Sequence, residues 1–65
     1  MTKQEAIELM RVGVKITHDN FGDEEWMTHE GHYIKTEEGY LHDPHEFWSY
    51  RKDPCWEYGY SKKDA

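Results

Sequence analysis

The chain has 65 residues, with fourteen Asp and Glu against eight Lys and Arg, a formal net charge of −6. That length holds one domain with a marginal core, since a domain this short buries only about 60% of the surface its unfolded chain exposes. The charge excludes a general nucleic-acid binder, which needs a basic face to displace counterions, and it disfavours anionic membranes.

Thr2-Lys3-Gln4-Glu5 has capping-box spacing. Ile7, Met10 and Val14 follow at i, i+3 and i+7 with Ala6 beside them, which predicts a helix over 3–11 that Gly13 ends in a left-handed conformation. Residues 14–18 alternate and are β-branched, so a strand is expected there. Residues 19–23 read as a loop with Phe21 as its one apolar member. A second strand is expected over 25–29, a tight turn at Glu30-Gly31, a third strand over 32–35, a turn over 36–39 and a fourth strand from Tyr40. Asp43-Pro44 with Glu46 reads as a second helix start, its short helix carrying Phe47, Trp48 and Tyr50 and ending near Lys52. Residues 55–60 alternate and are expected to form a closing strand, and 61–65 a frayed polar tail.

The turns fix an expected register. A two-residue loop at Glu30-Gly31 pairs His29 with His32 and Met27 with Ile34, and a four-residue loop over 36–39 pairs Ile34 with Leu41. Directly opposed residues share a face. Met27, Ile34 and Leu41 then line one face, and Trp26, Tyr33 and Tyr40 the other. The expected fold is α+β: an N-terminal helix packed on a bent antiparallel sheet of four to five strands, with a short second helix before the last strand.

Only seven residues are Ile, Leu or Val, whereas ten are Trp, Tyr or Phe. One helical stripe covers one sheet face, so the aromatic face is left for contacts and a homo-oligomer is expected. No stretch approaches the ~20 apolar residues of a membrane span. The opening residues lack the apolar block and cleavage site of a signal peptide, and the single Cys55 forms no internal disulfide. A cytoplasmic protein is therefore expected.

Five histidines invite a metal reading, in which His29 and His32 sit side by side across the hairpin and supply half of a tetrahedral zinc site. The absence of a Cys-x-x-Cys pair favours exposed histidines instead, and no metal or cofactor is expected. No nucleophile elbow, phosphate loop or zinc-protease motif is present, so no enzyme is expected. Cys55 reads as a small filler of an edge strand. The acidic runs at 23–25 and 37–38 read as solvated turns rather than a phosphate mimic. The aromatic set carries more: Phe21, Trp26, Trp48 and Tyr50, with Lys15 and Arg51, are suited to stacking a base and holding its phosphate.

Glu5-Ala6 through Leu9-Met10 to Gly13, then Lys15-Ile16, Phe21, Trp26-Met27, Glu38-Gly39, Asp43-Pro44 and Trp56-Glu57-Tyr58 form an ordered series over nearly the whole chain. In that order the sequence resembles short uncharacterised phage and prophage proteins, some of them similar to anti-Thoeris sponges that sequester a nucleotide-type immune signal without cleaving it. The resemblance implies a ligand at a subunit interface, with Phe21, Trp26 and the segment from Trp48 to Arg51 as candidates. The chain lacks the sponges' usual middle insertion and has His18 where a basic residue is more usual.

Two functions are expected from this reading. The first is sequestration of a nucleotide-derived host signal by Lys15, Phe21, Trp26, Trp48, Tyr50 and Arg51. The second is a protein-interaction module that inhibits a host or phage protein through an aromatic face rimmed by acidic turns.

Overall fold

Thr2 caps the first helix as its spacing predicts. Its hydroxyl accepts the Glu5 N–H at 3.2 Å and the Glu5 carboxylate accepts the Thr2 N–H at 2.9 Å. These bonds hold the Glu5 carboxyl below the usual carboxylate range. The computed structural model describes residues 1–63. Helix α1 spans Lys3–Arg11, and Gly13 follows it at φ +90°. Strands β1 (Ile16–His18), β2 (Met27–Glu30), β3 (Tyr33–Thr36) and β4 (Leu41–His42) come next, followed by helix α2 (Pro44–Ser49), a 3₁₀ turn (Pro54–Trp56) and strand β5 (Tyr60–Lys62). The five strands form one antiparallel sheet in the order β4-β3-β2-β1-β5. This is the expected α+β architecture.

Register explains the core. Ile16 lies opposite Met27, His18 opposite Tyr60 and Met27 opposite Thr36, so alternation puts Ile16, His18, Met27, Ile34 and Tyr60 on one face. Ala6 and Met10 of α1 and Phe47 of α2 close over that face. Met10, Ile16, Met27 and Ile34 are fully buried, and each such side chain contributes about 1.5–3 kcal/mol relative to exposure. The opposite face bears Thr17, Tyr33, Lys35, Leu41 and Ser61, of which Tyr33, Leu41 and Ser61 are exposed.

Both hairpin registers expected from the sequence need correction. The first hairpin turns at Gly31-His32, because a type II′ turn requires glycine, here at φ +61°, as its first central residue. His29 therefore faces Ile34 rather than His32. The slip is two residues, so Met27 and Ile34 keep their common face. The second hairpin uses a three-residue loop, Glu37-Glu38-Gly39. Gly39 stands at φ +87° and its N–H donates to the Thr36 carbonyl at 2.9 Å. That slip is one residue, and it turns Leu41 away from the core to pair with Lys35, 49% exposed.

The closing segment differs as well. Pro54 starts a 3₁₀ turn, and the strand expected over 55–60 begins only at Tyr60, after Gly59 at φ +90°. Ser61 and Lys62 pair with Thr17 and Ile16, so they belong to the sheet rather than to a frayed tail. The rest of the expected tail, 64–65, lies outside the described residues. Helix α2 ends at Ser49, short of Lys52. The chain's start is bound to this segment: Lys3 N–H donates to the Glu57 carbonyl at 2.9 Å and Tyr60 N–H to the Met1 carbonyl at 3.4 Å. Among the described residues no helix is long and apolar enough to cross a membrane.

Candidate functional site

The concave surface beside α2 is built from three separate stretches of chain: the 21–26 loop, the β3–β4 hairpin and α2 with its exit. Together they enclose a cleft of about 500 Å³. Its apolar walls come from Phe21, Trp26, Leu41, Phe47 and Tyr50. Phe21 is half-buried, fixed by its N–H to the His18 carbonyl at 2.9 Å. Trp26 is half-buried, and its N–H donates to the Glu37 carboxylate at 3.3 Å, which ties the loop to the hairpin. Tyr50 is 77% exposed at the end of α2.

The rim is acidic. Glu25, Glu37, Glu38, Asp43 and Glu46 line the cleft, against Arg51 as its one Lys or Arg. With His42 neutral, five carboxylates and one guanidinium leave a local charge of −4. Three of the carboxylates are oriented by backbone donors: Glu25 by Gly22 N–H at 3.1 Å, Asp43 as the α2 N-cap by Glu46 N–H at 3.1 Å, and Glu37 as above.

Arg51 is held rather than free. Its guanidinium carbon lies 3.9 Å from the centre of the Phe47 ring and 5.4 Å from that of Trp56, and Nη1 donates to the Phe47 carbonyl at 3.0 Å. Burial lowers its pKa, opposed by Tyr60 and Glu25. Two side-chain atoms of cleft residues, Thr36 Oγ1 and Arg51 Nε, are buried without a hydrogen-bond partner.

Four of the six expected ligand residues, Phe21, Trp26, Tyr50 and Arg51, therefore meet in one cleft. Lys15 does not line it. Its amine sits 4.5 Å from the centre of the Trp26 ring in a neighbouring hollow. Trp48 is turned elsewhere too, packed edge-on against Phe47 and Tyr60 with the Lys3 amine 4.6 Å from its ring centre. The proposed pairing of His29 with His32 is absent because His32 occupies the turn. Among the described residues no group of three or more His, Cys, Asp or Glu is placed to hold a metal ion.

The residue that sequence reasoning most undervalued is His18. It is 5% exposed, stacked on Trp56 at 4.3 Å and edge-on to Tyr60 at 4.6 Å. Asn20 N–H donates to Nδ1 at 3.0 Å, so the ring's hydrogen is on Nε2, which faces the carbonyls of Tyr58 at 2.7 Å and Cys55 at 3.0 Å. The ring anchors the 3₁₀ turn and thereby Trp56, over which Arg51 lies. Its only sequence signal is that it closes an alternating strand in the inward-facing phase of Ile16.

No protein-family model, no curated protein and no solved structure matches the chain.

Proposed function

We propose that this protein is a non-catalytic interaction module that docks onto a partner protein through the acid-rimmed aromatic cleft and thereby inhibits it. The supporting observation is the convergence of four aromatic side chains and five carboxylates, from separate stretches of chain, on one open cleft. Exposed rings desolvate readily and contribute strongly to protein interfaces, and surrounding charges select the partner. The resemblance of the motif order to short phage proteins is the ground for placing that role among accessory, anti-defence functions in the cytoplasm of a host cell. The exposed apolar side chains on the opposite sheet face, Tyr33 at 50% and Leu41 at 49%, support homo-oligomerisation, and sedimentation at micromolar concentration tests it.

A photo-crosslinking residue at Tyr50 tests the docking reading, with one at Val12, 77% exposed and outside the cleft, as control. A discrete adduct from Tyr50 alone is the expected result. Equal labelling from both positions, or none, would overturn it.

A second reading, sequestration of a nucleotide-derived signal, is favoured by the meeting of Phe21, Trp26, Tyr50 and Arg51. The carboxylates oppose it, because a phosphate there faces five negative groups for one positive. Incubation with ADP-ribose-type or cyclic oligonucleotide signals, followed by denaturation, returns intact ligand under this reading and depletes none under the first.

A further inference from the structure

The charge of the cleft and its unfilled polar atoms narrow the chemistry of what enters it. Glu38 and Glu46 make no side-chain hydrogen bond or ion pair among the described residues, and both side chains are exposed. Bringing a cation there offsets repulsion that the fold leaves standing. Trp26, Phe21 and Tyr50 supply ring faces, and a cation over such a face is attracted by the ring's quadrupole, more strongly once desolvated. The protein already uses this contact internally, with Arg51 over Phe47 at 3.9 Å and Lys15 over Trp26 at 4.5 Å.

A cation alone does not account for everything. Arg51 Nε is a donor that lacks an acceptor, and Thr36 Oγ1 lacks any partner; both residues line the same cleft. Both atoms are themselves closed to solvent, so they show that this wall of the cleft holds polar capacity the fold leaves unused, rather than a socket already open to a ligand. The needed complement is an acceptor beside Arg51 and a positive charge toward the carboxylates. A peptide bearing a basic side chain carries both, the acceptor being its backbone carbonyl. A free polyamine carries only the charge, and a nucleotide only the acceptors.

We propose that the occupant is a basic segment of the partner protein, with an arginine or lysine side chain seated between the carboxylates and the rings of Phe21, Trp26 and Tyr50. The proposal rests on the docking reading above and names the chemistry of the partner.

The test is a titration followed by amide chemical shifts, using acetyl-Gly-Arg-Gly-Arg-Gly-amide, the same peptide with Glu for Arg, spermine, and ADP as separate probes. The Arg peptide is expected to shift residues 21–26, 36–43 and 46–51, and the Glu peptide to leave them unmoved. The double charge reversal Glu38→Lys with Glu46→Lys is expected to weaken Arg-peptide binding at least tenfold. Both sites are exposed, so an unchanged circular dichroism spectrum is expected, and Tyr50→Ala gives an independent second variant with the same direction of effect. Spermine binding as tightly as the Arg peptide, ADP shifting the cleft residues, or no shift with the Arg peptide would each overturn the proposal. A partner crosslinked at Tyr50 through a segment without Arg or Lys would overturn this inference while leaving the docking reading intact. Absence of both peptide shifts and a Tyr50 adduct would remove both.

Discussion

Replacing His18 with Phe keeps the ring and nearly the volume but removes every hydrogen bond the imidazole makes. The carbonyls of Cys55 and Tyr58 lose their shared donor, and Asn20 N–H loses its acceptor. Leaving a buried polar group unpaired costs about 1–3 kcal/mol. These three groups are part-buried and regain some water, so the low end applies, about 1 kcal/mol each and ~3 kcal/mol together. The greater apolarity of a phenyl ring offsets up to ~1 kcal/mol of this. The expected loss is therefore about 2–3 kcal/mol, against a total stability of roughly 3–10 kcal/mol for a domain of this length. With a urea m-value near ~1 kcal/mol/M, the unfolding midpoint falls by about 2–3 M, read from tryptophan fluorescence. A shift below ~0.5 M would refute the assignment of His18 as the anchor of the 3₁₀ turn.

Gly59→Ala is expected to destabilise by about 2 kcal/mol or more, because a left-handed residue with a side chain costs ~1–2 kcal/mol and its Cβ would stand 2.9 Å from Asp19 Oδ2 and 3.2 Å from His18 Nε2. Gly13→Ala, at the same φ of +90° but with nothing within 4 Å, is expected to cost less; equal losses in the two denaturation curves would contradict a close approach at Gly59. Desolvation, reinforced by Arg11, lowers the His29 pKa below 6.5, so its contribution is intact above pH 6.5 and is lost as pH falls through the lower folded value. Wild type should therefore lose stability relative to His29→Gln on acidification from pH 6.5, and parallel melting-temperature profiles would count against it. Burial, followed by the charge of Glu57, pushes the Tyr60 hydroxyl from 10.0 up to about 12. Its stabilisation is present below pH 10 and lost toward pH 12, so the advantage of wild type over Tyr60→Phe should narrow across that window, and a constant gap would disprove it.

Elements with a local cause were readable in the sequence. The capping box at Thr2, the Asp43-Pro44 start and the left-handed Gly13 each act within one turn of chain, and the structure places them as expected. Registers were harder, because a turn type is chosen by one residue. Gly31 as first central residue moved one hairpin by two positions at no cost to the faces, while Gly39 moved the next by one and reversed Leu41. The closing segment misled because Trp56, Tyr58 and Tyr60 alternate like a strand while Pro54 and Gly59 force turns.

The candidate site was half legible. Phe21, Trp26, Tyr50 and Arg51 stood out by residue type, and the acidic turns were visible as runs. That Lys15 and Trp48 would each turn to another partner depended on tertiary packing, in which Lys15 covers Trp26 and Trp48 meets Tyr60. His18 was hidden for a related reason: its three partners are backbone groups, which no side-chain pattern announces.

The bonds joining Met1 and Lys3 to Tyr60 and Glu57 couple the entry to α1 with β5, more than fifty residues further along the chain. During synthesis, β1 emerges early but keeps one flank open until residues 60–62 leave the ribosome, and unpaired strand edges recruit other chains. A stalled or truncated product ending before Tyr60 would thus be a nucleus for clumping rather than a smaller working copy.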